Sequence, residues 1–171
     1  MAGPDFHRTT GSRSVPVEVL KHVFLLKGVT LFKALNTEQI LPVADIVSSV
    51  SFEKGDTIFH EGDEGHQLYV VVQGSVEVVV AGQQVAVLGV HQCFGEMAVL
   101  EQLTRSATVR AIEDVSLLRI AREDFLDLLD LYPVLARSII AVLTERLRSA
   151  SAEETGVHKA VRKSELERGE S

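Results

Sequence analysis

One cysteine, Cys93, stands among the 171 residues, so no disulfide can form within the chain. A chain of this size buries enough apolar surface to fold without one, and a lone thiol suits a reducing compartment. Basic residues are sparse: no dense lysine and arginine cluster occurs, and the formal net charge is −7. The basic footprint of a nucleic-acid binder is therefore missing. Long apolar runs are missing too. The most apolar region, residues 68–90, is interrupted by Gln73, Gly74, Glu77, Gln83 and Gln84, which excludes a membrane-spanning helix there. The first sixteen residues, MAGPDFHRTTGSRSVP, hold no apolar core of the secretory kind, and the location expected is the cytoplasm.

Catalytic patterns are absent as well. His60, His66 and His91 lack the close spacing that brings two imidazoles to one metal, so no metal and no cofactor is expected. No serine sits in a G-x-S-x-G elbow, and Cys93 has no evident base partner. A glycine-rich loop of the nucleotide-hydrolysing type does not occur. The chain reads as something other than an enzyme.

What is present has a clear order. Residues 1–16 are polar and read as a disordered lead-in. Val17, Leu20, Val23, Phe24 and Leu26 follow helical spacing. A second helix is expected from Glu38 to about Val47, with Thr37 as its N-cap and Pro42 near its start. From Ser49 the period drops to two. Short valine-rich runs alternate with glycine-bearing turns: Thr57 to Phe59, Leu68 to Val72, Val76 to Val80, Val85 to Val90, Ala107 to Ile112 and Val115 to Ile120. Helical spacing returns with Phe125, Leu126, Leu128 and Leu129, and again from Pro133 to Ala150. Residues 151–171 form a polar tail or frayed helix end. Pattern alone makes this an α+β chain: an antiparallel β-roll, jelly-roll-like with about eight strands, between N-terminal helices and C-terminal helices.

One stretch, Phe94 to Val109, carries the chemistry. It holds an acid, Glu96, and a base, Arg105, nine residues apart, opened by F-G-E and closed by R-S-A-T-V. Gly95 lets the backbone come close to a ligand. Free N–H groups at the start of a short helix after it can hold a phosphate. Arg105 can fork onto phosphate oxygens, and Glu96 can accept from a sugar hydroxyl. A small anion bearing a hydroxyl needs these parts.

This stretch closely resembles the phosphate-binding cassette of the cyclic nucleotide-binding domain family, in which F-G-E-L-A-L is followed by P-R-A-A-T-V or R-S-A. The resemblance extends over about residues 20–150. Thr104 stands where many members have proline, and Ser106 where many have alanine; catabolite-activator-type members also carry R-S-A. The resemblance implies a role for each residue. Arg105 neutralises a cyclic phosphate that helix N–H groups near Met97 and Ala98 also hold. Glu96 takes the ribose 2′-hydroxyl. Phe94, Gly95 and Ala107 complete the cassette, and Ser106 meets either the phosphate or a guanine. Met97, Val78 and Val109 read as core, with part of their surface against sugar or base. The C-terminal helices are implied to act as hinge and lid, with the helix from Pro133 closing over the base. Aligned on Pro133, a Thr-Ser pair that reads adenine falls at Ala150 and Ser151, so one hydroxyl is missing and cAMP is expected only slightly ahead of cGMP. Arg146, one turn earlier, is placed to pair with Glu96.

The function implied is a non-catalytic regulatory sensor of cAMP or cGMP, working on a protein effector or fused output domain. A second copy, through the apolar lid helix, is a further partner. The alternative is a ligand-independent interaction scaffold on the same fold. A transcription factor would need a helix-turn-helix that the residues after Ala150 do not supply, and a cupin-like metalloenzyme fails for want of ligands.

Overall fold

A computed structural model describes residues 15–101 and 104–168, with side chains as far as Ser151. The lead-in expected over residues 1–16 thus falls almost wholly outside the described residues, as does the end of the tail.

Helix α1 (Val17–Lys27) forms where the apolar spacing predicts, but of that set it buries only Val23 and Leu26, together with His22, and leaves Val17, Leu20 and Phe24 exposed. The His22 ring ties three elements together: Nδ1 lies 3.0 Å from the Ala44 carbonyl and Nε2 lies 3.3 Å from Ser49 Oγ. Helix α2 (Thr37–Ile46) is capped by Asn36, not by Thr37. Asn36 Oδ1 accepts from the Gln39 N–H at 2.9 Å, and Gln39 Oε1 accepts from the Asn36 N–H at 3.0 Å. This reciprocal box satisfies two donors at once, which a threonine one residue later cannot do.

Eight strands form two four-stranded antiparallel sheets. The first orders β1 (Ser48–Phe52), β8 (Val115–Ala121), β3 (Gln67–Gln73) and β6 (Cys93–Phe94). The second orders β2 (Thr57–Phe59), β7 (Thr108–Ala111), β4 (Val76–Val80) and β5 (Gln83–Leu88). Strand β5 runs from Gln83 to Leu88, where Val85 to Val90 was expected, and the turn before it is tight, with Ala81 and Gly82 both at positive φ. The two-residue β6 is too short to leave a periodic trace.

Side-chain alternation on β3 and β8 divides the core in two. Leu68, Val70, Leu118 and Ile120 face the helices and pack with Leu26, Phe32, Ile40, Phe125 and Leu135. Tyr69, Val71, Val115 and Leu117 face the second sheet and pack with Val76, Phe94 and Val109. Each fully buried leucine or isoleucine contributes roughly 1.5–3 kcal/mol, so the central strands are held from both sides.

After β8 come α4 (Arg122–Leu131) and α5 (Pro133–Arg168). Helix α5 does not stop near Ala150 but runs on to Arg168. Its apolar stripe ends at Leu147; the polar residues beyond keep helical backbone because good helix formers such as Ala, Glu, Lys and Arg fill the run. Among the described residues no helix is long and apolar enough to cross a membrane.

Candidate functional site

Between β6 and β7 the chain makes a short helix, α3 (Glu96–Glu101). Gly95 turns the strand into it with φ +81°. A side chain at that position would meet Arg105: a Cβ there would lie 2.5 Å from Nη1 and 3.0 Å from the Gln67 carbonyl. The glycine is thus required twice, for backbone conformation and for space.

Arg105 is pinned by its own backbone. Its N–H donates to the Asp63 carbonyl at 2.7 Å, and its carbonyl accepts from Gly62 N–H at 2.9 Å. The side chain runs inward and is only 5% exposed. Nη1 donates to the Gly95 carbonyl at 3.2 Å. The guanidinium lies over the Phe59 ring, 4.1 Å from its centroid. Burial lowers its pKa from the ordinary value, with Tyr69, Asp63 and Glu96 pulling the other way. It remains a cation at neutral pH.

Glu96 opens α3 and is 2% exposed. Its Oε1 accepts from Arg146 Nη1, reaching over from α5, and Arg146 Nη2 donates to the Cys93 carbonyl. Burial pushes the Cys93 thiol from 9.0 up to about 11; Glu96 adds to the rise and Arg146 opposes it.

Two buried atoms in this acid–base pair have no hydrogen-bond partner, Glu96 Oε2 and Arg105 Nε. Burying a charged group with an unmet bonding position costs roughly 1–3 kcal/mol or more. An acid and a base that line one cavity, each with a bonding site to spare, suit a ligand that is an anion at one end and a hydroxyl donor at the other.

An open cavity of about 1390 Å³ lies between α5, α3 and the β4–β5 pair. It is lined by all ten residues singled out in sequence: Val78, Phe94, Gly95, Glu96, Met97, Ala98, Arg105, Ser106, Ala107 and Arg146. Their environments differ. Phe94 is buried and stacked on Tyr69, with ring centroids 5.3 Å apart, which makes it a support of the wall. Val109 is core as expected and Val78 half-buried, but Met97 is 44% exposed. It sits on the outer side of a one-and-a-half-turn helix that buries Glu96, Ala98 and Val99 instead. Ser106 is exposed, and its hydroxyl donates to Met97 Sδ at 3.8 Å. Gln102 and Leu103, within the cassette, lie outside the described residues.

Sequence reasoning missed Phe59, Gly65 and the wall of β5. A Cβ on Gly65 would lie 2.3 Å from that of Ala98 and 3.1 Å from Arg105 Nε, so this glycine keeps the floor open beneath the arginine. Its place in a G-D-E-G turn was the one visible signal. On α5 the cavity meets Ala141, Val142, Glu145, Ser149 and Ala150. Among the described residues no group of three or more metal-ligating side chains is gathered in one place.

The chain has known relatives in sequence and in fold. A family profile described as "Cyclic nucleotide-binding domain" matches residues 49–132. The chain is 37% identical over 133 residues to the cyclic AMP receptor protein of Thermus thermophilus, covering 75% of this chain and 62% of that one. It is 34% identical over 105 residues to the cAMP-dependent protein kinase regulatory subunit of Debaryomyces hansenii, covering 61% and 23%. Among solved structures, the N-terminal domain of a transcriptional regulator from Streptomyces coelicolor superposes with a TM-score of 0.60 at 34% identity, covering 74% of this chain and 94% of that one. The chain thus spans less than two thirds of the length of the first two relatives.

Proposed function

Because the chain belongs to the cyclic nucleotide-binding domain family, we propose that it is a non-catalytic sensor of a 3′,5′-cyclic nucleotide, cAMP ahead of cGMP, whose C-terminal helix relays binding. The observation that carries this reading is the pair of buried, partnerless atoms, Arg105 Nε and Glu96 Oε2, on two residues that line one cavity. A cyclic phosphate would take the free donors of Arg105 together with N–H groups at the start of α3. The ribose 2′-hydroxyl would donate to Glu96 Oε2. The relatives named for cyclic AMP support this choice of ligand.

The relay follows from Arg146. It clamps α5 over Glu96, so the sugar has to reach an acid that the helix already covers. A ligand that changes this contact changes the position of α5, and it signals only as far as its affinity differs between the two positions. An effector protein or an output domain would read the change.

A second reading keeps the fold and dispenses with the ligand. The same clamp favours it, since Arg146 supplies Glu96 with a cation from within the chain. Isothermal titration with cAMP and cGMP separates the two readings. Saturable binding is expected, with a preference for either base below about a hundredfold, because a buried base-reading bond would discriminate far more sharply. No heat with either nucleotide at millimolar concentration would leave the scaffold reading in possession.

A further inference from the structure

The central carbon of the Arg105 guanidinium lies over the Phe59 ring. Phe59 sits on β2, in one sheet, and the central carbon of the arginine is 4.1 Å from its ring centroid. Tyr69, on β3 in the other sheet, lies 5.9 Å away. Phe59 is braced in turn by Tyr69 and Phe94, with centroids at 6.1 Å and 5.8 Å. The arginine therefore rests on an aromatic floor at the seam between the two sheets.

A guanidinium is flat, with its donors around the edge and none on the face. The negative face of a ring attracts that flat side without using any N–H. In this site the Gly95 carbonyl takes one edge donor of Nη1. Ring and carbonyl together restrain the guanidinium, and its Nε is left without a partner. An arginine held in this way has less side-chain freedom to lose when it grips an anion.

We propose that Phe59 is a positioning residue for phosphate recognition: its π face holds Arg105 so that the unused in-plane N–H groups meet the cyclic phosphate. The proposal rests on the cyclic nucleotide reading above. It differs from a packing role in one respect. Packing depends on the shape of the ring, whereas positioning through charge depends on its electron density.

The test replaces Phe59 with 4-fluoro-, 3,5-difluoro- and 3,4,5-trifluorophenylalanine, which keep the shape and progressively drain the face. Binding of cAMP is measured by titration, and the melting temperature is recorded alongside. The dissociation constant is expected to climb with each fluorine, towards the roughly five- to thirtyfold loss expected for Phe59→Leu, while Phe59→Tyr stays close to wild type. The melting temperature should hold across the fluorinated series, which also guards against a Phe59→Leu variant that fails to fold. A series flat to within about twofold, with wild-type protein that binds cAMP, overturns the proposal and leaves the sensor reading intact. Binding that tightens with fluorination also overturns it, because the ring would then be stacking on the base. Wild-type protein that binds no cyclic nucleotide overturns the sensor reading and this proposal together.

Discussion

Arg146 Nη1 donates to Glu96 Oε1, and through Nη2 the same side chain holds the Cys93 carbonyl, so one residue joins α5 to α3 and β6. The two partners are unequally covered: the Glu96 side chain is 3% exposed and that of Arg146 36%. Removing the arginine strands a buried carboxylate. Removing the acid frees a cation that can turn to water.

Arg146→Ala is therefore expected to destabilise the ligand-free protein by about 1–3 kcal/mol, less than a fully buried pair because the arginine is partly screened. Arg146→Ala in a Glu96→Gln background should cost clearly less. Urea unfolding of the four proteins gives the coupling energy; a value near zero would mean that the pair contributes nothing to holding α5.

Arg105→Ala should weaken cyclic nucleotide binding most, since each charge-assisted bond it makes is worth roughly 1.5–3 kcal/mol. Folding should survive, because the arginine is a desolvated cation with one donor unmet. Glu96→Ala should cost less and act through the sugar: 2′-deoxy cAMP should bind wild type and mutant about equally. If Arg105→Ala leaves affinity within about threefold, the phosphate assignment is wrong.

Gly95→Ala and Gly82→Ala form a matched pair. Both glycines have φ +81°, but a Cβ at Gly95 would lie 2.5 Å from Arg105 Nη1, whereas one at Gly82 meets nothing within 4 Å. Each should lose roughly 1–2 kcal/mol of stability to backbone strain. Nucleotide affinity should drop for Gly95→Ala alone. Equal affinity in the two variants would mean that the approach at Gly95 does not position Arg105.

Cys93 should leave a mark in alkali. Its thiol is raised by burial from 9.0 to about 11. The folded state keeps the proton longer than the unfolded chain does, so the stability it carries is whole below pH 9 and is lost as pH rises towards 11. Cys93→Ala should therefore flatten the fall in melting temperature over that window. In native protein near pH 8 a thiol reagent should react slowly with Cys93, and rapid labelling would refute the burial argument.

The acid and the base of the site were readable because the groups flanking them, Gly95 before and Ser106-Ala107 after, are consecutive in the chain. The strands were readable for a similar reason: the alternation of Val76, Val78 and Val80 is local. Phe59 was not, because its partner lies 46 residues on (105 − 59), and nothing in a three-residue strand announces a ring beneath an arginine. Asn36 and Thr37 both belong to residue types that cap helices well, and Gln39, three residues after Asn36, decides between them. The apolar stripe from Leu135 to Leu147 marks only part of α5, because helix propensity carries the backbone on to Arg168. Arg146 was legible only through the spacing of a related lid, and its second bond, to a backbone carbonyl, leaves no trace in a side-chain pattern.

The 36 residues of α5 are one unbroken helix. At about 1.5 Å per residue it is some 54 Å long, and roughly 33 Å of that lies beyond Arg146. Leu135 and Ile139 hold its first turns in the core, and Arg146 clamps it again further along. A tilt of about ten degrees at the clamp would sweep the far end through about 6 Å, on the scale of a full helical turn. Mechanical gain of this kind needs no soft joint between pocket and tip, only that the rod stay stiff while its fulcrum is let go.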